Sequence, residues 1–174
     1  ELAIGSQDAR TPTVGASVAE EHRVGYDTTE PIRVVMGLCD YRLTDAGREA
    51  FLDAEWKVSD EADRTGYRFD GPDVEPMFEE REPPFGAGTD ITNVVDVGYP
   101  IGSIQLAGEP IVLMRDAVTG GGYATVGTVV SPDRNRLAQF PTNASVTFEP
   151  VTPEEALEIR QDYDRDLEEI RSSL

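Results

Sequence analysis

The sequence predicts a mainly β domain, a barrel or a sandwich, with a few short helices and a C-terminal amphipathic helix. Three observations carry that expectation. After Trp56 the chain breaks into short extended pieces separated by Gly, Pro and Asp, as in "YRFDGPDVEP" and "SIQLAGEPIVLM". Many short strands punctuated by turn residues mark all-β architecture. By contrast, "LTDAGREAFLDAEW" and the segment after Thr152 carry apolar residues at the helical spacing of three and four. Finally, 174 residues of which 39% are hydrophobic suffice for one core, so a single domain is expected.

Taken in order, residues 1–31 mix Gly, Ser, Thr, Asp and Glu without periodicity and read as a linker or arm, which places the folded domain at 32–174. "IRVVM" is a short apolar strand, and Thr44 is the N-cap of a helix through Ala50, Phe51 and Ala54. "KVSD" and "YRFD" follow as strands. Residues 75–92 hold too much Pro, Gly and Glu for a central strand and are expected to be a long loop. "SIQL", "PIVLM", "YATVGTVV" and "SVTFEPV" are further strands. Between the last two, Ser131 as N-cap and Pro132 at the first helical position predict a short helix. Thr152, Pro153 and Glu155 form an N-cap, a first-turn proline and a capping box. Beyond them Ala156, Ile159, Tyr163, Leu167, Ile170 and Leu174 make one apolar stripe, which either packs on its own barrel or receives a partner.

Charge narrows the function. Asp and Glu number 34 against 15 basic residues, a formal charge of -19, and Lys57 is the only lysine. Such a chain repels phosphate backbones and anionic lipid, so neither nucleic acid nor a membrane is an expected partner. The acidity is spread along the chain, and its pairing with arginine in place of lysine resembles proteins of salt-accumulating halophiles. The alternative is an acidic protein with a specific cationic partner. The first residues carry no signal-peptide pattern, no apolar run is long enough to cross a bilayer, and Cys39 is the only cysteine, so a cytoplasmic setting is expected. One Cys and one His cannot build a Cys/His zinc site, and no metal ligand set is expected.

The run "DAVTGGGYATVGTVV", 116–130, is the densest glycine stretch. It is not a phosphate loop: a P-loop needs a Lys-Ser/Thr pair and a helix after the glycines, and here no Lys follows and the next residues read as a strand. Composition leaves two readings open, a tight turn or bulge, or a ligand site flanked by Asp116, Thr119 and Tyr123 in which the bare backbone lets a ligand approach. In "DRTGYR", Arg64 and Arg68 either clamp an anion or pair with surrounding acid. His22 lies in the arm and reads as solvated. The acidic pairs Glu20-Glu21 and Glu79-Glu80 read as solvated charge.

Several of these stretches in order resemble one family. "WKVSDEADRTGYRFDGP" and the segment from "GSIQLAGEPIVLMRDAVTGGGYATV" to "LAQFPTNASVTFEPVTPEEA" are similar to the C-terminal half of the family that contains KipA, allophanate hydrolase subunit 2 and the C subunit of 5-oxoprolinase, which is biotin-dependent carboxyltransferase-like and urea amidolyase-related. Asp63, Arg64, Gly66, Tyr67 and Arg68 match that family's D-R-M-G-Y-R element. Gly102, Ile104, Gln105, Pro110 and Ile111 match G-x-I-Q followed by G-x-P-I. Asp116, Thr119, Gly121, Gly122 and Tyr123 match D-x-Q-T-T-G-G-Y, and Ala138 and Gln139 match L-A-Q. Thr65, Val118, Gly120 and Ala124 depart from the pattern, where the family has Met, Gln, Thr and Pro.

The resemblance implies a cyclophilin-like β-barrel, part of a complex that hydrolyses a small amide, lactam or urea-like compound or transfers a carboxyl group from carboxybiotin to it. It implies Asp116 and Thr119 as catalytic groups, with Gln105, Gly121, Gly122, Tyr123, Arg64, Tyr67 and Arg68 as substrate-binding groups. The implied partners are a KipI / allophanate hydrolase subunit 1-type protein, a third 5-oxoprolinase subunit, and an N-terminal domain that residues 1–31 do not supply. No cofactor is expected on this domain, with ATP or carboxybiotin serving the full complex. The alternative is a KipA-like regulatory module that binds and antagonises a KipI-like partner without chemistry, and a trimmed fragment of a composite site is expected to be inactive alone. The charge makes its own prediction: the melting temperature rises between dilute buffer and molar KCl as salt screens self-repulsion, and an unchanged value contradicts the halophilic reading.

Overall fold

The computed structural model describes residues 17–23, 28–82 and 84–173. Most of the predicted linker and the last stripe residue, Leu174, lie outside the described residues. Ten strands and three α-helices follow in order: β1 (Ile32–Met36), α1 (Asp45–Asp53), β2 (Trp56–Val58), β3 (Gly66–Asp70), β4 (Asn93–Gly98), β5 (Ser103–Leu106), β6 (Pro110–Leu113), β7 (Gly120–Tyr123), β8 (Thr125–Val129), α2 (Ser131–Leu137), β9 (Ser145–Val146), β10 (Phe148–Pro150) and α3 (Pro153–Ser173).

Eight strands form one sheet in the order β10-β1-β8-β5-β6-β3-β2-β9. Its two edges, β9 and β10, are halves of a single extended segment broken only at Thr147. One half pairs antiparallel with β2 and the other parallel with β1, so the sheet curls into a nearly closed barrel, the mainly β architecture expected. Closure leaves no long unpaired edge. Ile32, Val34, Ile104, Leu106, Val112 and Val126 are fully buried in the main core, and α1 adds Phe51. The Phe51 ring stacks on Phe148 at 5.1 Å, and Phe69 meets Phe148 edge-on at 5.7 Å. Burying each such ring contributes on the order of 2–3 kcal/mol. Trp56 keeps its indole satisfied by donating Nε1–H to the Phe51 carbonyl at 3.0 Å.

The capping signals are realised. Thr44 Oγ1 accepts the Gly47 N–H at 2.8 Å. At α3 the box is reciprocal: Thr152 N–H donates to Glu155 Oε2 at 2.8 Å, and Glu155 N–H donates to Thr152 Oγ1 at 3.2 Å. The α3 stripe is half-buried from Ala156 to Ile170, with no residue fully buried, where the helix leans on α2 and β1.

Three local expectations change. Ser131 does not cap α2: it is the first helical residue, and Val130 occupies the cap position with no side-chain bond. The 75–92 stretch holds no strand among its described residues, as expected, but "NVVDVG" directly after it forms the unforeseen β4. The glycine run opens in a turn at Asp116, as one reading expected, but its three glycines are extended and pair with β4 across a register irregularity. Gly120–Tyr123 is a strand, β7, paired antiparallel with β4 in a separate two-stranded ribbon.

Topology places that ribbon. β6 and β8 both run antiparallel to β5, which lies between them, so they are parallel to each other. The connection from β6 to β8 must therefore return along the outside of the barrel, across β5, and β7 is that crossover. This explains why every residue of β5 and β6 is buried. Ile104, Leu106 and Val112 join the interior core, whereas Ile111 and Leu113 form a second cluster with Tyr99 and Val97 under the ribbon.

The helix after β8 is tied to β1 by an ion pair that no local pattern announces. Asp133 is fully buried, and Arg33 gives it three bonds: backbone N–H at 2.8 Å, Nε at 2.9 Å and Nη2 at 2.6 Å. Burial alone would raise the Asp133 carboxyl, but the hydrogen bonds from Arg33 outweigh it and hold the group below its ordinary range. A depressed folded-state value contributes stability above the unfolded value of about 3.9 that is lost as pH falls through the folded one. Asp133→Asn is expected to destabilise the protein by about 3 kcal/mol at neutral pH, since it leaves Arg33 without its counter-ion. In urea titrations the gap between wild type and variant should shrink below about pH 4; a gap independent of pH contradicts the assignment.

Candidate functional site

An open cavity of about 360 Å³ lies at the barrel end where β3 and β5 begin and β6 and β8 finish. Four chain segments build it, one of them the turn into β5, which supplies Ile101. The turn into β3 supplies Asp63, Arg64 and Tyr67, the residues after β6 supply Met114 and Arg115, and α2 supplies Arg134 and Asn135. Asp63 sets the first segment: its Oδ1 accepts the N–H groups of Thr65 at 2.8 Å and Gly66 at 3.0 Å. Those backbone bonds, Gly66 first, hold the Asp63 carboxyl below its ordinary range. Arg64 then meets the second segment twice. Its Nε pairs with Asp116 Oδ2 at 2.8 Å, and its carbonyl accepts the Asp116 N–H at 3.1 Å. Tyr67, half-buried beside them, donates its phenol to the Phe140 carbonyl at 3.2 Å, and burial pushes that phenol up.

The third wall depends on a glycine. Gly102 sits at φ +93°, and a Cβ there would lie 2.8 Å from Cδ of Arg134 and 3.1 Å from the Val129 carbonyl oxygen. Only a residue without a side chain lets the turn into β5 pass this close to the arginine stem at that backbone angle. The same turn offers the Ile101 carbonyl, which accepts Nη1 of Arg134 at 2.9 Å.

The structure thus places Arg64 and Tyr67 on the cavity wall, pairs Asp116 with Arg64, and distributes the other expected site residues. Thr119 is exposed at the entrance to the ribbon, where its carbonyl accepts the Tyr99 N–H at 2.8 Å. Gly121, Gly122 and Tyr123 lie in β7 itself. Tyr99 rivets them to the barrel: its hydroxyl accepts the Tyr123 N–H at 2.7 Å and donates to the Tyr123 carbonyl at 3.2 Å. A Cβ on Gly121 would stand 3.0 Å from the Tyr99 ring, so a side chain there would oblige Tyr99 to shift. Arg68 is ion-paired with Glu109, which follows β5 at the other end of the barrel. Gln105 is buried on β5, opposite Thr125 of β8. Gln105 Nε2 and Thr125 Oγ1 are both buried without a hydrogen-bond partner among the described residues.

Arg115 and Arg134 belong to the cavity but to none of the motifs. Arg134 sits in "SPDRNRL", whose only local message is a helix start, and its place in the cavity follows from the docking of α2 by Asp133. His22 occupies a short helical turn, Glu20–His22, away from these groups in the chain.

Known proteins resemble the chain as follows. The family described as carboxyltransferase domain, subdomain A and B, matches residues 1–150. The 5-oxoprolinase C subunit of Escherichia coli (strain K12) is 32% identical over 141 residues, which cover 80% of this chain and 42% of that protein. A putative urea carboxylase of Emericella nidulans is 30% identical over 123 residues, covering 70% of this chain and 10% of that protein. The chain therefore spans less than half the length of these curated relatives. Among solved structures, the K. lactis urea amidolyase superposes with a TM-score of 0.74 at 23% identity, over 80% of this chain and 8% of that one, which supports the fold.

The unpaired amide under the ribbon makes a prediction. A buried polar group without a partner costs roughly 1–3 kcal/mol, so Gln105→Met, close in volume, is expected to stabilise the isolated chain by about 1 kcal/mol. Chemical denaturation measures it, and a loss of stability of that size would show that the amide is satisfied in solution.

Proposed function

Since the chain belongs to the carboxyltransferase domain, subdomain A and B, family, we propose that it is the C-terminal domain of a subunit of an ATP-dependent 5-oxoprolinase or a related complex that hydrolyses or carboxylates small amides. The observation that carries this reading is the joining of Arg64 and Asp116 at the cavity by an ion pair and a backbone hydrogen bond. Two motifs separated along the chain meet there, and the groups are suited to a small carbonyl compound. Arg64, whose side chain is largely exposed, supplies donors for a carbonyl oxygen or an anionic group, and Asp116 supplies a carboxylate beside it. The Asp116 side chain is half exposed and hence reachable by a substrate or by a partner protein that covers the cavity. Tyr67, whose proton is engaged by Phe140, positions this wall. Thr119, exposed three residues beyond Asp116, is proposed to meet a partner or an N-terminal domain that completes the site.

The glycines of β7 continue into a strand and are not followed by lysine, so their backbone does not fit the phosphates of ATP. ATP or carboxybiotin is proposed to act elsewhere in the complex. Partners of the KipI / allophanate hydrolase subunit 1 type and a third 5-oxoprolinase subunit belong to the same proposal.

One observation favours the second reading, a KipA-like module that controls such a partner. Asp116 is already neutralised by Arg64 in the isolated domain, as a structural ion pair would be. One variant separates the two. In the full-length protein co-expressed with its neighbouring subunits, Asp116→Asn is expected to lower 5-oxoproline-dependent ATP hydrolysis at least about 100-fold, the usual effect of removing a general acid or base. Turnover unchanged by the substitution, with partner binding intact, would sink the catalytic assignment and favour the regulatory one.

A further inference from the structure

At the barrel end where β1 finishes and β8 begins, three chain segments are hydrogen-bonded into one platform. The Gly37 N–H donates to the Val126 carbonyl at 3.1 Å and the Cys39 N–H to the Thr125 carbonyl at 2.8 Å, which ties residues 37–42 to the start of β8. Arg42, buried at the end of the short helical turn Asp40–Arg42, reaches the third segment: its Nη2 donates to the Ile91 carbonyl at 2.6 Å and its Nη1 to the Asn93 carbonyl at 3.2 Å. The Ala124 N–H completes the circuit by donating to the Thr92 carbonyl at 2.9 Å. Arg42 also closes the loop 79–93, since its carbonyl accepts the Glu79 N–H at 2.9 Å. These segments expose Leu38 to 58%, Tyr41 to 67% and Val95 to 53%, and Phe85 on the closed loop is wholly uncovered. A large apolar side chain exposed singly is ordinary, whereas several on bonded neighbours form a patch of the kind that marks an interaction site. Leu38 adds a second observation. It stands at φ 61°, in the left-handed region that leucine disfavours, held there by the bonds of Gly37 and Cys39 on either side. Strain of this kind collects at ligand clamps and switch regions, and here most of the side chain gains nothing from the fold because it stays in solvent.

We infer that this platform is a docking surface for a separate protein whose contact face is apolar at its centre and rimmed by arginine or lysine. Charge selects that occupant. Glu79 and Glu80 are exposed beside the pinned end of the loop and Asp96 beside Val95, and none of the three makes an ion pair among the described residues. A second copy would bring the same acids on a chain of formal charge -19, and an anionic membrane would be repelled in the same way. A basic rim turns that repulsion into attraction, while the leucine and the aromatic side chains supply the apolar contact. The ordering cost is small, because the bonds of Arg42, Gly37 and Cys39 fix the backbone before the partner arrives. The cavity lies at the opposite end of β8, so the platform shares neither its wall nor the ion pair of Arg64.

The probe is the KipI / allophanate hydrolase subunit 1-type protein proposed above as partner, so the inference rests on that reading for its occupant. In the full-length protein co-expressed with that subunit, p-benzoylphenylalanine in place of Tyr41 is expected to give a light-dependent cross-link to the subunit. A cross-link within the same chain, one to a second copy, or none at all overturns the inference. With the purified subunit, Tyr41→Ser and Leu38→Gly are each expected to weaken binding at least about 10-fold, while Leu157→Ser, exposed on α3, leaves it unchanged. Leu38→Gly separates docking from folding, because glycine takes the left-handed angle without strain: the urea midpoint is expected to hold or rise as binding falls. A midpoint that falls in step with binding assigns Leu38 to the fold and overturns its part in docking. Association is expected to slow as KCl is raised, and a rate indifferent to salt overturns the basic rim. A loss on Leu157→Ser as large as on Tyr41→Ser also overturns the inference. A subunit that binds the wild type and ignores the Tyr41 and Leu38 variants removes this inference alone, whereas one that does not bind the wild type removes the partner assignment with it.

Discussion

The extended segment 145–150 joins the two edges of the sheet, and the positions of all the loops follow from that junction. One end of it pairs with β2 and the other with β1, and at the break between them the Thr147 carbonyl accepts the Ile32 N–H at 2.8 Å. Phe148, projecting inward from the same segment, meets both Phe51 and Phe69, so the hydrogen-bonded closure and the aromatic core are made by neighbouring atoms. Asn143, in the left-handed region at φ 67°, turns the chain into it and donates its N–H to the Val58 carbonyl. A barrel closed in this way holds its ends at fixed separations, which is what a site assembled from several different connections requires.

Closure also obliges one connection to run outside. The path from β6 to β8 crosses β5, and the sequence meets that obligation with glycine because the crossover must lie flat against Tyr99. The feature that looks most like a ligand loop is therefore first of all a packing solution. Its chemical interest lies at its start, where Asp116 leaves β6 and turns back to Arg64. The buried, unpaired Gln105 and Thr125 under the crossover show that this seam is polar where an ordinary core would be apolar.

What was legible in the sequence is what local physics encodes. The caps at Thr44 and Thr152 are short-range bonds between residues three apart, and the alternation of short strands with turn residues announces a β barrel. What was not legible depends on partners far away in sequence. β7 is a strand only because β4 pairs with it, against the low strand preference of glycine. Ser131 is already helical with Val130 at the cap, and the anchor of α2 is Asp133 bonded to Arg33, a hundred positions earlier. Arg68 shares a motif with Arg64, yet its place on β3 sends it to Glu109. Arg115 and Arg134 carry no local signal, since nothing in "MRDA" or "PDRNR" shows that they will face the same cavity.

The site therefore rests on long-range geometry: a barrel end where the turn into β3, the exit from β6 and the first turns of α2 converge. The measurement that tests this most directly is a crystal structure of the full-length protein with its partner protein and 5-oxoproline bound. Electron density for the ligand is expected in the cavity, in contact with Arg64 and beside Asp116. Ligand density over the outer face of the β7 ribbon, at Tyr123, or at the opposite barrel end by Arg68, with this cavity empty, would contradict it.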